Sequence, residues 1–167
     1  MDNIAANSED GFAALQAQLD AFVAQRQSLV LATQDEHGVC ELGLAPFVWH
    51  EGGFAVLLSG LAPHTQHLAR DSALQVMLLD DEASARQPFA RQRLSLRCES
   101  VRLERESAQS DSWFDLLAQR FGSIVPLLRG LPDFNVHVLS PQQGRFVAGF
   151  GKAYRLQGLR VVEHLRN

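Results

Sequence analysis

The chain has 167 residues, of which 46% are hydrophobic and 20% charged, the balance of one ordinary globular domain with a real core. Its net charge of −4 lacks the basic footprint of a nucleic-acid binder. Its apolar runs, such as Phe54 to Leu58, fall far short of the ~20 residues that cross a membrane.

The first residues carry Asp2, Glu9 and Asp10 and no apolar stretch of the signal-peptide kind. The two cysteines, Cys40 and Cys98, sit in strand-like segments and read as buried thiols rather than a disulfide pair. Both features point to the cytoplasm.

A first helix is expected over residues 8–27. Phe12, Leu15, Leu19, Phe22 and Val23 recur at three- and four-residue intervals. Ser8 suits its N-cap, and Glu9 and Asp10 fall where the helix dipole favours acids. Residues 28–33 and 39–49 then read as strands joined by the turn 35–38, with Pro46 marking a bulge or an edge. Glu51-Gly52-Gly53 reads as a hairpin turn into a third strand, 54–59.

The β pattern breaks at Leu61. Pro63 fits a first helical position, and a short helix bearing His64, Thr65 and His67 follows. Its N-terminus, with the hydroxyls of Ser59 and Thr65 nearby, is a candidate anion site. His64 and His67 have a metal-like spacing, yet no third ligand is evident, and an ordinary capped helix is the plainer reading.

A fourth strand is expected over 73–79. Six arginines follow between positions 86 and 105. Leu94, Leu96 and Cys98 alternate with polar residues as in a half-buried strand. Arg91 and Arg93, two apart, would share a strand face, and two guanidinium forks suit a phosphate or a pair of carboxylates. Arg102 and Arg105 read instead as a solvated face paired with Glu99, Glu104 and Glu106.

Residues 107–121 form a helix closed by Gly122, and 123–130 add a turn or two. A strand over 134–139 and a turn at 140–143 lead into Gly144 to Leu156, which holds Gly144, Gly149 and Gly151. From spacing alone this stretch reads as an edge strand kinked by a bulge. It lacks the spacing of a phosphate loop. A last strand is expected over 159–162, and His37, His50 and His137 read as surface or strand residues. No acid–base pair or nucleophile dyad stands out, so catalytic residues stay unassigned.

This order predicts a mostly β fold with flanking helices, an antiparallel barrel spanning about 28–162 behind an N-terminal helix of about 8–27. Three segments carry a more specific resemblance: 59–65 (SGLAPHT), 88–94 (PFARQRL) and 144–153 (GRFVAGFGKA). They resemble the pyridoxamine 5′-phosphate oxidase-like, FMN-binding split-barrel superfamily, and within it the haem-utilisation branch. The resemblance spans 28–156.

It implies a six-stranded antiparallel split β-barrel and a homodimer with two ligand sites at its interface, each built from both chains. In flavin-binding members, the positions of Ser59, His64, Thr65, Arg91 and Arg93 surround the FMN. In haem-utilising members, haem occupies the interface and a histidine near the C-terminus ligates the iron. His164 matches by position. Asp133 is then the candidate acceptor for its second nitrogen, and Arg91 or Arg93 would meet the haem propionates. The implied functions are haem binding for iron acquisition with oxidative ring opening, FMN-dependent oxidoreduction, or haem carriage without turnover.

Overall fold

The computed structural model describes residues 12–166. The helices are α1 (Ala13–Gln25), α2 (Pro63–Leu68), α3 (Ala108–Phe121) and α4 (Ile124–Gly130). The strands are β1 (Ser28–Gln34), β2 (Cys40–His50), β3 (Gly53–Ser59), β4 (Leu74–Leu79), β5 (Arg93–Arg102), β6 (Phe134–Gly149), β7 (Lys152–Gln157) and β8 (Arg160–Leu165). The expected cap at Ser8, with Glu9 and Asp10, lies outside the described residues.

The strands pair so that a ring closes. β1 lies between β2 and β4, β5 between β4 and β6, and β3 between β2 and β6, every pair antiparallel. The result is a six-stranded barrel in the order β1–β2–β3–β6–β5–β4, as expected. Closure leaves no barrel strand with an unpaired edge. β7 and β8 continue from β6 outside the ring.

The tight turns are made where the sequence allows them. Glu51 and Gly52, at φ +48° and +79°, form the two-residue link from β2 to β3. Pro46 sits where β2 changes partner, for Pro46 pairs with Ser28 of β1 and Phe47 with Val56 of β3. The missing N–H therefore falls at a seam between ladders.

β6 departs from the sequence expectation. Residues 140–143 do not turn. They continue one 16-residue strand, with Ser140 opposite Glu99 and Pro141 opposite Cys98. A register shift between Arg97 and Cys98 absorbs the proline. The first half of β6 pairs with β3 and the second half with β7, while β5 runs along both.

The glycine-rich stretch is accordingly an internal strand and a hairpin, with a bulge between Val147 and Gly149. A Cβ on Gly144 would lie 2.2 Å from the Ser95 carbonyl oxygen. Gly151, at φ +70°, turns the chain into β7 and leaves Phe150 exposed at the tip.

Two apolar cores result. The barrel interior holds Leu31, Phe47, Phe54, Leu78, Leu94 and Phe146, capped by Leu19, Phe22 and Val23 of α1. Each fully buried phenylalanine contributes about 2–3 kcal/mol. A second core forms where α3 lays Trp113, Phe114 and Leu117 on the outer faces of β2, β3 and β6. This explains why β3 is apolar at nearly every position, since barrel and helix cover both its faces. Ser107 caps α3 by accepting from the Ser110 N–H, and Gly122 ends it at φ +74°.

Candidate functional site

α2 begins at Pro63, as expected, and lies against β1 and β2. Its His64 ring fits over Gly43, where a Cβ would come within 2.7 Å of Nδ1. Burial lowers the His64 pKa from its ordinary value. His67 is tied through Nδ1 to Thr33 Oγ1 at 3.0 Å. Among the described residues, no three His, Cys, Asp or Glu gather as metal ligands.

Ser59 ends β3 beside Asp133, and its hydroxyl donates to Asp133 Oδ2 at 2.5 Å. The Gly60 N–H donates to the Asp133 carbonyl at 2.8 Å. Two residues 74 apart in sequence thus form one unit. The second carboxylate oxygen of Asp133 has no hydrogen bond among the described residues.

The arginine pair departs from expectation in one respect. Arg91 does not belong to a strand. It follows a single 3-10 turn, Pro88–Ala90, and only Arg93 enters β5. The two are still neighbours, because Arg93 Nη1 donates to the Arg91 carbonyl at 3.1 Å. Arg91 Nε donates to the Asp80 carbonyl at 2.7 Å, and Arg91 faces Glu82 at 3.6 Å. An acid therefore reaches Arg91 from the preceding turn, which local sequence does not reveal. Two exposed rings, Phe89 and Phe150, belong to the segment before β5 and to the β6–β7 hairpin.

His164 is an ordered residue of β8, a strand longer than expected. Its imidazole stacks on Tyr154 with centroids 4.7 Å apart. Nδ1 accepts from Arg166 Nε at 3.1 Å, so the remaining proton belongs on Nε2, 3.4 Å from the Gly151 carbonyl oxygen. Leu94, Phe146, Tyr154 and His164 form one register row across four strands.

The seven expected site residues thus fall at two ends of the sheet. Arg91, Arg93 and His164 belong to the β6–β7 hairpin end. Ser59, His64, Thr65 and Asp133 belong to the other. From position 93 to 102, at about 3.3 Å per residue, the ends of β5 are roughly 30 Å apart. Asp133 and His164 therefore do not meet within one chain, and a site that uses both needs two copies.

The sequence reading missed a polar cluster at the Asp133 end. His137, expected as a surface or strand residue, is only 5% exposed. Burial first, then the Arg102 guanidinium and His64, pull its pKa down to about 4. Its Nδ1 meets Ser100 Oγ at 3.3 Å. Arg102 does not pair with the nearby glutamates; it donates to Asn135 Oδ1 at 3.2 Å. Arg105 serves the backbone carbonyls of Leu131, Phe134 and Arg129. The one readable signal was Asn135-x-His137, two polar residues of the same parity inside an apolar strand.

The thiols differ from the expectation of two buried cysteines. Cys98 is buried, which pushes its pKa up to about 12, but Cys40 is exposed. No helix among the described residues is long and apolar enough to cross a membrane.

Comparison with known proteins places this geometry. The family model for pyridoxamine 5′-phosphate oxidase matches residues 15–148, from α1 to nearly the end of β6. A Vibrio cholerae protein named heme oxygenase HutZ is 38% identical over 152 residues, covering 89% of this chain and 85% of HutZ. A crystal structure of Vibrio cholerae HutZ, there called a heme storage protein, superposes with a TM-score of 0.75 at 33% identity, covering 81% of this chain and 94% of the other. Campylobacter jejuni ChuZ superposes with a TM-score of 0.82 at 28% identity, covering 90% of this chain and 62% of ChuZ. The chain belongs to the pyridoxamine 5′-phosphate oxidase family, in the branch that includes HutZ.

Proposed function

We propose that this protein binds haem in a cleft between two copies of the chain and serves haem utilisation in the cytoplasm. The observation that carries the reading is the 38% identity to a protein named heme oxygenase, sustained over 89% of this chain. The two unpaired cysteines agree with a reducing compartment.

The residues present fit the group. His164 offers an imidazole on an outlying strand, held in orientation by Tyr154. Arg93 is half-buried and spends one N–H on the Arg91 carbonyl, which leaves the rest of its fork for a propionate. Asp133 of the partner subunit, with its free carboxylate oxygen, would accept from His164 in place of the Gly151 carbonyl, and the iron would take the nitrogen that Arg166 now holds. Ser59 holds that carboxylate in place. Leu42 and Leu44, more than 60% exposed on β2, supply apolar surface for the second copy.

Haem bound here would bring an iron able to engage O2. What the chain itself does is position: His164 ligates, the arginines anchor, and closure between copies excludes water. The related HutZ is called an oxygenase by one description and a storage protein by the other.

Absorbance titration with hemin, run alongside FMN, tests the reading. One hemin per subunit, with a Soret band lost in His164→Ala, is the expected result. Tight FMN binding with only nonspecific hemin uptake would overturn it and leave a flavin oxidoreductase of the same family. Adding a reductant under air then separates degradation from carriage: an oxygenase loses its Soret band with time, and a carrier keeps it.

A further inference from the structure

Two exposed apolar features stand beside the two halves of the cleft. Phe150, at the tip of the β6–β7 hairpin, is 81% exposed. It lies between Gly149 and Gly151, so no adjacent side chain shields its ring. The Gly151 carbonyl lies 3.4 Å from His164 Nε2, which puts the tip next to the imidazole. At the other end of the barrel Leu61 is 78% exposed and Leu131 is 42% exposed. Both border Asp133. The Leu61 N–H donates at 3.2 Å to Ser59 Oγ, the hydroxyl that binds the Asp133 carboxylate, and Leu131 precedes Asp133 by two residues. We propose that Phe150 anchors the contact between two copies of the chain. Its ring seats on the partner's Leu61 and the partner's Leu131, and so carries His164 to the partner's Asp133.

One chain cannot make this contact. The hairpin tip and the leucines lie beyond opposite ends of β5, roughly 30 Å apart. Each copy therefore carries one unfilled plug and one unfilled seat. A two-fold pair makes the contact twice and leaves neither over. The charges agree with that pairing. Residues 134–162 contain Arg145, Lys152, Arg155 and Arg160 and no acid, whereas the seat surrounds the Asp133 carboxylate. Lys152 stands two residues from Phe150, so a cation arrives with the ring. The ring itself suits the task. A phenyl group buries a large apolar area while few torsions are frozen, which is why aromatic side chains are enriched in interface cores.

The inference rests on the two-copy cleft proposed above and names the contact that closes it. Without that contact His164 keeps the Gly151 carbonyl as its neighbour and Asp133 keeps only Ser59 and its backbone contacts. With it, the same ring that joins the copies sets the distance between imidazole and carboxylate.

The test is sedimentation velocity on the full-length, haem-free protein over a dilution series. Wild type should sediment as two chains. Phe150→Ser, a change at an exposed tip, should raise the dimer dissociation constant at least about tenfold with the fold intact. Leu61→Ser should do the same. The double variant should lose little more than either single one, because both remove one contact. Should Leu61→Ser fail to fold, Leu131→Ser takes its place. A wild type that stays a single chain overturns the proposal. So does a dissociation constant unmoved by Phe150→Ser, or losses that add in full in the double variant. Hemin titration of the same proteins keeps the two readings apart. A dimer weakened by these changes in a protein that takes up no hemin leaves the anchor standing and removes the haem cleft. A dimer indifferent to Phe150→Ser that still binds hemin through His164 does the reverse.

Discussion

Tyr154 and His164 face each other across the β7–β8 pair, with their ring planes 25° apart. The strand register sets that distance, so Tyr154 acts as a positioning residue for the imidazole. Stacked pairs contribute about 0.5–1.5 kcal/mol beyond their buried area. Tyr154→Leu should therefore weaken hemin binding by about threefold to tenfold. Tyr154→Phe should restore it. If His164 ligates as proposed, the Soret spectrum as well as the affinity should change in the leucine variant, because the ring stacked on its imidazole is gone.

Ser59→Ala removes the hydroxyl that holds Asp133. Charge-assisted hydrogen bonds contribute about 1.5–3 kcal/mol, and the partial exposure of this pair puts it at the low end. Urea denaturation should show stability lowered by about that amount, read as a lower midpoint at an unchanged slope. If Asp133 serves His164 as proposed, hemin affinity should fall as well. An unchanged midpoint would show that Asp133 is held by its backbone contacts alone.

Acid should destabilise the protein through His137. The unfolded chain takes up this proton near the ordinary value of 6.5, but the folded chain only near 4. Below 6.5 the unfolded state binds more protons, so stability falls as pH drops through that window and levels off below about 4. The full effect is on the order of 3 kcal/mol. His64, lowered in the same direction, adds to it. Denaturation midpoints followed from neutral to acid pH should show a shallower slope in His137→Gln. Identical slopes would mean that other groups carry the acid sensitivity.

Two glycine substitutions should behave oppositely. In Gly144→Ala the new methyl meets the Ser95 carbonyl and the Leu96 backbone inside a three-strand ladder, and neither can move alone. A loss of more than about 4 kcal/mol, or insoluble protein, is expected. Gly130→Ala at the end of α4 meets nothing within 4 Å and should be neutral or stabilising by up to about 1 kcal/mol. Thermal melts of the two variants check both expectations.

The elements that could be read from the sequence were those with local causes. The apolar stripe of α1, Pro63 at the start of α2, the Gly52 turn and Gly122 after α3 each announce themselves within a few residues. What stayed hidden depends on long-range partners. Pro141 looks like a turn residue until the bulge at Cys98 opposite it is known. Arg91 looks free of acids until the turn carrying Glu82 folds back on it. His137 looks like any strand histidine until β3, β5 and α2 enclose it. The site residues divided in the same way. Ser59 and Thr65 were legible as hydroxyls around a short helix, but the bond from Ser59 to Asp133 spans 74 positions and has no local signature.

β6 also sets how the molecule opens. One strand serves both the closed ring and the β7–β8 ribbon, and the ribbon attaches to the barrel ladder only through its second half. The ring can come apart only by breaking two ladders at once, whereas the ribbon can fray from its free side. Amide hydrogens of β8 should exchange at a small opening free energy, and those of β3 and β5 only at the global one. The segment that carries His164 is then a separately cooperative unit, and a ligand that ties it to a second chain would show as protection that spreads inward from β8.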